Sequence, residues 1–212
     1  MFGKSLCLIL FCSLMGAVPA TQPSSKPTTQ PTKMNLLKGL DVKKASLQGK
    51  WIRQGKKIGV TSPGGHASDR TIILYKGKSK EFPSKYCLEF DLIPKGIDFV
   101  GFGIIYGKDT ERTITSGFNI YYQDIEIGEK RIRDKTPIGK SIKVRIEIDK
   151  KEMNFFIKDE LKISTTVNKT NYCLEDNFLI NAFKKDEVTI TIRTRTTLIV
   201  NSAVLVLFPE NP

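Results

Sequence analysis

The chain has 212 residues, 40% of them hydrophobic and 26% charged, with 34 Lys and Arg against 22 Asp and Glu for a formal charge of +12. That length buries a core without disulfide staples. The basic balance suits an acidic partner, but no helix-turn-helix, RNP-like or zinc-finger pattern accompanies it, so nucleic acid is not the expected one.

Residues 1–20 read as an export signal. Lys4 supplies the positive end, residues 6–15 (LCLILFCSLM) the apolar run, and Val18-Pro19-Ala20 the cleavage site, with cleavage after about Ala20. The run is too short to span a bilayer, so no transmembrane span is expected and the mature protein should be secreted or periplasmic. Cleavage removes Lys4 alone among charged residues, leaving 12 − 1 = +11. Residues 21–34 form a Pro/Thr/Ser-rich linker without the apolar content to fold, expected to be disordered. Residues 35–212 then make one sandwich-sized domain.

Residues 49–53 give the first clear strand, followed by a turn and Ile58-Gly59-Val60. Residues 62–66 (SPGGH) are a loop by their Pro and paired Gly. Strands are expected at 71–75, at 86–93 and at 99–106, the last apolar almost throughout and therefore covered on both faces. Residues 118–127 and 130–133 continue the series. In residues 142–157, Ile142, Val144, Ile146 and Ile148 alternate with Lys143, Arg145, Glu147 and Asp149, and Met153, Phe155 and Ile157 resume the alternation after a polar turn. Successive strand side chains point to opposite faces, so this is an antiparallel hairpin with one apolar face. Further strands are expected at 178–182, 188–192 and 198–208. No stretch carries a helical period, and many short strands at regular spacing indicate an all-β, antiparallel two-sheet β-sandwich of jelly-roll type.

Cys7 and Cys12 leave with the signal. Cys87 and Cys173 remain and are a candidate disulfide in an oxidising compartment, if the fold brings their Cα atoms within about 7 Å. One His and two Cys do not make a zinc site.

Gly49-Lys50-Trp51, residues 86–91 (YCLEFD) and residues 143–148 (KVRIEI), in this order, resemble a concanavalin A-like lectin/glucanase jelly roll. The chain is most similar to the laminin-G-like and 3-keto-disaccharide-hydrolase-like domains of secreted bacterial proteins, over about residues 35–206. It departs from them in having Asp159-Glu160 in place of an Asn-Gly turn and in lacking their Asn-Ser-Gly segment. The family 16-type glucanases of this fold carry Glu-x-Asp-x-(x)-Glu on one strand. Asp124, Glu126 and Glu129 reproduce the longer spacing with the first two residue types exchanged, which implies a glycoside hydrolase using that carboxylate set. Read from the residues alone, the acids point to water, Ile125 and Ile127 point inward, and Gly128 starts a turn.

The same face can bind sugar without cutting it. Tyr122, two residues before Asp124, would offer a ring to stack beneath a pyranose, and Asp124 and Glu126 would accept hydroxyl hydrogen bonds, with Tyr106 and Arg112 flanking. Trp51 reads as a packing residue and His66 as a loop residue. Gly101, Gly103 and Gly107 do not make a phosphate loop, since their spacing is wrong and no helix follows. Asp98, Asp109 and Asp124 are the acids that could hold a structural calcium, and no other cofactor is expected. Asn168-Lys169-Thr170 is a glycosylation sequon, of consequence only in a eukaryotic host.

Three readings follow. The first is an exported, non-catalytic carbohydrate-binding or cell-surface interaction module whose partner is a glycan or anionic cell-surface polymer. The second is the glycoside hydrolase. The third is a structural envelope protein that binds other proteins, which requires a broad exposed apolar patch.

Overall fold

The computed structural model describes residues 30–61, 69–106, 114–127, 130–150, 152–166 and 186–209. In chain order these form β1 (Thr32–Asn35), a single helical turn α1 (Val42–Ala45), β2 (Ser46–Gln48), β3 (Trp51–Gln54), β4 (Lys57–Val60) and β5 (Arg70–Lys78). Then come β6 (Lys85–Pro94), β7 (Val100–Tyr106), β8 (Ile114–Ile120), β9 (Asp124–Ile127) and β10 (Lys130–Arg133). The set closes with β11 (Ile142–Asp149), β12 (Glu152–Ile157), β13 (Glu160–Thr166), β14 (Glu187–Thr194) and β15 (Leu198–Leu207).

The strands make two sheets. The β6 sheet runs β13-β12-β11-β6-β15-β4-β3, with β1 also paired to β15, and the β7 sheet runs β10-β9-β8-β7-β14-β5-β2. Every described pairing is antiparallel. The fold is the expected all-β, two-sheet sandwich.

Alternation builds it. In the β11–β12 hairpin, Ile146 lies opposite Phe155 and Ile148 opposite Met153, and all four are buried. Their apolar faces meet Ile72, Phe102, Ile104, Ile190 and Ile192 from the β7 sheet in one core. Phe90 of β6 touches Phe102 of β7 across the interface, with ring centroids 4.7 Å apart. Each such fully buried side chain contributes about 1.5–3 kcal/mol. Trp51 is in this core, as its neighbours in the sequence implied.

The structure differs from the sequence reading in two places. β1 begins at Thr32, inside the stretch read as linker, because Thr32–Asn35 finds ladder partners in residues 204–207 of β15. The single strand expected at 118–127 is two, β8 and β9. Its interruption is a tight turn in which the Tyr121 amide donates to the Asp124 carbonyl at 2.7 Å. The strand expected at 178–182 lies outside the described residues.

Candidate functional site

The face of the β7 sheet turned away from the core carries a continuous polar row. Residues directly opposite on neighbouring strands share a face. Gln48 pairs with Thr71, Thr71 with Arg193, Arg193 with Gly101, Gly101 with Asn119, Asn119 with Glu126, and Glu126 with Arg131. The row crosses all seven strands, roughly 29 Å at the usual ~4.8 Å between strands. One position along, Thr191 pairs with Gly103 and Gly103 with Gly117. Three glycines therefore stand together at the middle of the face. Glycine inside a strand weakens it and marks a place where a ligand or another backbone comes close.

The row is closed at its centre and open at one flank. Thr71, Gly101 and Thr191 are buried although they point away from the core, whereas the Glu126 and Arg131 side chains are 29% and 60% exposed. Asn119 Oδ1 and Thr189 Oγ1 on this face are buried without a protein hydrogen-bond partner. An unpaired buried acceptor costs about 1–3 kcal/mol, which a bound hydroxyl can recover.

Arg193, within the row, belongs to an aromatic and charged cluster. The Asp69 carboxylate, itself 5% exposed, is bonded by Arg193 and by Arg195 Nε at 2.6 Å. Both guanidinium groups lie over the Phe99 ring, 5.8 and 5.3 Å from its centroid. Burial, and then the neighbouring Arg195 charge, holds the Arg193 pKa below its ordinary value. Tyr121 packs against Phe99 at 5.9 Å between centroids. Burial pushes its phenol pKa up, and the charge and hydrogen bonding of Glu126 add to that.

The residues picked out from sequence are distributed as follows. Asp124 and Glu126 do share a strand face, and Arg131 binds both, at 2.6 and 3.1 Å. The hydrogen bond from Arg131 holds the Asp124 carboxyl below the usual range. A retaining glycosidase pairs an ionised carboxylate with a protonated one; Asp124 is arranged as an anion held by Arg131. Tyr122 does not lie beside Asp124 on a strand. It sits in the turn before β9, its carbonyl accepting from the Thr136 amide at 2.9 Å and its ring 5.4 Å from Lys135 Nζ. The turn breaks the alternation, and it is the Tyr121 phenol that meets Glu126. Glu129, Arg112, His66, Asp109, Asn168 and the side chain of Tyr106 lie outside the described residues.

Cys87 is a buried free thiol, and burial pushes its pKa up to about 11. Cys173, the other half of the candidate disulfide, lies outside the described residues. Asp98 Oδ1 accepts from the Phe99 amide at 2.8 Å, and Asp124 is committed to Arg131. Among the described residues no group of three or more His, Cys, Asp or Glu could hold a metal ion.

Another concavity, of about 310 Å³, opens on the outer face of the β6 sheet between Glu89, Asp91, Lys143, Arg145, Asp159 and Ser202. Arg145 and Asp91 in its lining are already engaged. Arg145 pairs with Glu147 and stacks 3.8 Å above Phe156, and Asp91 Oδ1 accepts from Ser141 Oγ and Asn201 Nδ2 at 2.5 and 3.1 Å. Sequence reasoning missed Asn119, Gln48, Asp69, Phe99, Arg193 and Arg195. Two signals were present: glycines at alternate positions of β7, and Thr189, Thr191, Arg193 and Arg195 at alternate positions through β14 and just beyond. The exposed large hydrophobics among the described residues are Ile52, Ile97, Ile138 and Leu161. Ile52 and Leu161 stand on opposite edge strands of the β6 sheet. No helix among the described residues is long and apolar enough to cross a membrane.

No family model and no curated protein matches the chain. Solved structures do. A protein of unknown function with a galectin-like fold from Bacillus subtilis matches at a TM-score of 0.53 and 10% identity, over 84% of this chain and 96% of that one. A candidate glycosyl hydrolase from Parabacteroides distasonis matches at 0.52 and 8%, over 84% and 94%. A sialidase matches at 0.54 and 7%, over 82% of this chain but only 18% of its own. At these identities the likeness is one of fold. The chain is a two-sheet, galectin-like β-sandwich, consistent with the concanavalin A-like architecture it resembles in sequence.

Proposed function

We propose that the protein is an exported, non-catalytic carbohydrate-binding module that holds a glycan on the outer face of the β7 sheet. Its sequence motifs resemble those of the laminin-G-like and 3-keto-disaccharide-hydrolase-like domains of secreted proteins. The observation that carries the reading is the glycine-floored polar row. Sugar rings present hydroxyls at regular intervals around a flat, partly apolar body. Such a ring would enter from the open flank of the row, where the Glu126 carboxylate and the Arg131 guanidinium can pair with its hydroxyls, toward the Asn119 amide. The buried, unpartnered Asn119 Oδ1 beside Gly101 supports it. The galectin-like and glycosyl-hydrolase descriptions of the structural relatives agree with a sugar ligand. The hydrolase reading is weaker, because Arg131 neutralises both described carboxylates of the set.

A glycan array probed with the purified protein at low and high salt tests this. We expect saturable binding to a few related glycans that persists in high salt. Asn119→Ala should weaken it about 10-fold, the equivalent of one hydrogen bond, with the circular dichroism spectrum unchanged. Binding indifferent to Asn119→Ala, or none to any glycan, would overturn the reading.

A further inference from the structure

Residues 38–57 carry seven Lys and Arg against one acid, Asp41. Their net +6 is half of the chain's +12, held in 20 of 212 residues. In the sequence these cations are dispersed, never more than two together. The fold gathers them. β3 is the edge strand of the β6 sheet, β2 is the edge strand of the β7 sheet, and α1 packs against β2, β3 and β5 to close that side of the sandwich. Arg53 on β3 fastens the preceding turn to this edge, donating to the Leu37 and Leu40 carbonyls at 2.9 and 2.6 Å. That turn presents Lys38, α1 presents Lys43 and Lys44, and the turns at either end of β3 present Lys50, Lys56 and Lys57. All six lysines are exposed. The one acid is already engaged: Asp41 caps α1, accepting from the Lys44 amide at 3.2 Å, and meets Lys44 Nζ only at 3.8 Å.

We propose that this edge is a binding surface for a linear acidic polysaccharide, a polymer bearing carboxylates or sulfates along its length. Six ammonium groups spread along one edge, with a single acid among them, repel one another and do nothing for folding. They match a partner whose charges also repeat along a line. Lysine suits it, being a point charge without the planar fork that fixes one carboxylate in one geometry. Two other polyanions fit less well. Single-stranded nucleic acid is held by bases stacked on exposed aromatics, and the one aromatic of the segment, Trp51, is 5% exposed. An anionic membrane is held by apolar residues inserted beside the charges, and Ile52, 40% exposed, is the only large apolar side chain the segment offers. The surface is distinct from the proposed glycan face, although Gln48, at one end of the polar row, lies on β2 at this same edge.

The test measures binding of the purified protein to polygalacturonate, a carboxylate polymer, and dextran sulfate, a sulfate polymer. A neutral dextran, anionic vesicles containing 30% phosphatidylserine and single-stranded DNA serve as comparisons. We expect at least one of the acidic polymers to bind more tightly than vesicles or DNA, and the preferred polymer to name the anionic group. The quadruple variant Lys43→Glu, Lys44→Glu, Lys56→Glu, Lys57→Glu should weaken that binding at least 30-fold. A control reversing Lys95, Lys135, Lys140 and Lys143 to Glu changes the net charge equally and should weaken it less than threefold. If the first variant fails to fold, the four Lys→Gln changes replace it, with a loss of about 10-fold expected. Equal losses in both quadruple variants would show net charge alone at work and overturn the proposal. So would an unchanged edge variant, or tighter binding to vesicles or DNA. Asn119→Ala should leave polymer binding unaltered, so this surface and the glycan face can fail separately.

Discussion

The Asp69 carboxylate is nearly buried and serves two guanidinium groups at once, one of them, Arg193, on β14 in the polar row. Removing one partner of a buried ion pair strands the other charges, which costs about 3–5 kcal/mol where burial is complete. Arg195 is half exposed, so the lower end applies. Asp69→Asn should lower stability by about 3 kcal/mol, read as a drop in the urea midpoint with the slope unchanged, and should also impair glycan binding by releasing Arg193. A midpoint shift under about 0.5 kcal/mol would mean that water, not Asp69, balances the two arginines. Little of this cluster was legible from the sequence. Asp69, Phe99, Tyr121 and Arg195 are far apart along the chain, and only the pairing of β14 with both β5 and β7 brings them together. Period-2 counting points to Tyr122 because it assumes an unbroken strand, and the turn at 121–124 breaks it.

At the scale of the element, the β11–β12 hairpin was legible almost residue by residue, since each buried position is apolar and each outer one except Phe156 is polar. The next connection reads from the residues as a polar turn, Lys158-Asp159-Glu160, but its geometry was not legible there. Lys158 and Asp159 form a two-residue loop with φ of 51° and 65°, and the flanking Ile157 and Glu160 pair directly. Positive φ at both positions is the type I′ geometry, which Asn-Gly adopts most readily and which L-residues with longer side chains adopt at a cost. The loop is thus one residue earlier than the Asp159-Glu160 turn that the family comparison located. Replacing Lys158 with Asn and Asp159 with Gly together should stabilise the domain by about 1 kcal/mol, raising Tm by roughly 2–4 °C. A fall in Tm would mean that the contact of Asp159 with Arg145, at 3.9 Å, matters more than the backbone.

At the scale of the whole molecule, local pattern and long-range arrangement part company. Alternation announced strands and a two-sheet sandwich, but nothing in it orders them: β15 sits between β6 and β4, and β14 between β5 and β7, through pairings that span most of the chain. The charge distribution is of the same kind. Dispersed lysines looked like an ordinary solvated surface until the edge formed by α1, β2 and β3 collected six of them. Their mutual repulsion acts across distances comparable to the Debye length, about 10 Å at 0.1 M salt, so salt should relieve it. The Tm should therefore rise by a few degrees between about 10 mM and 300 mM sodium chloride, the opposite of what a fold held by surface ion pairs would show. Lys56→Glu with Lys57→Glu places two anions among the remaining cations. It should raise the low-salt Tm and flatten the salt dependence while weakening the acidic polymer. A Tm that falls with salt in the unaltered protein would mean that its ion pairs outweigh the crowded edge, and that the lysines are already neutralised within the chain.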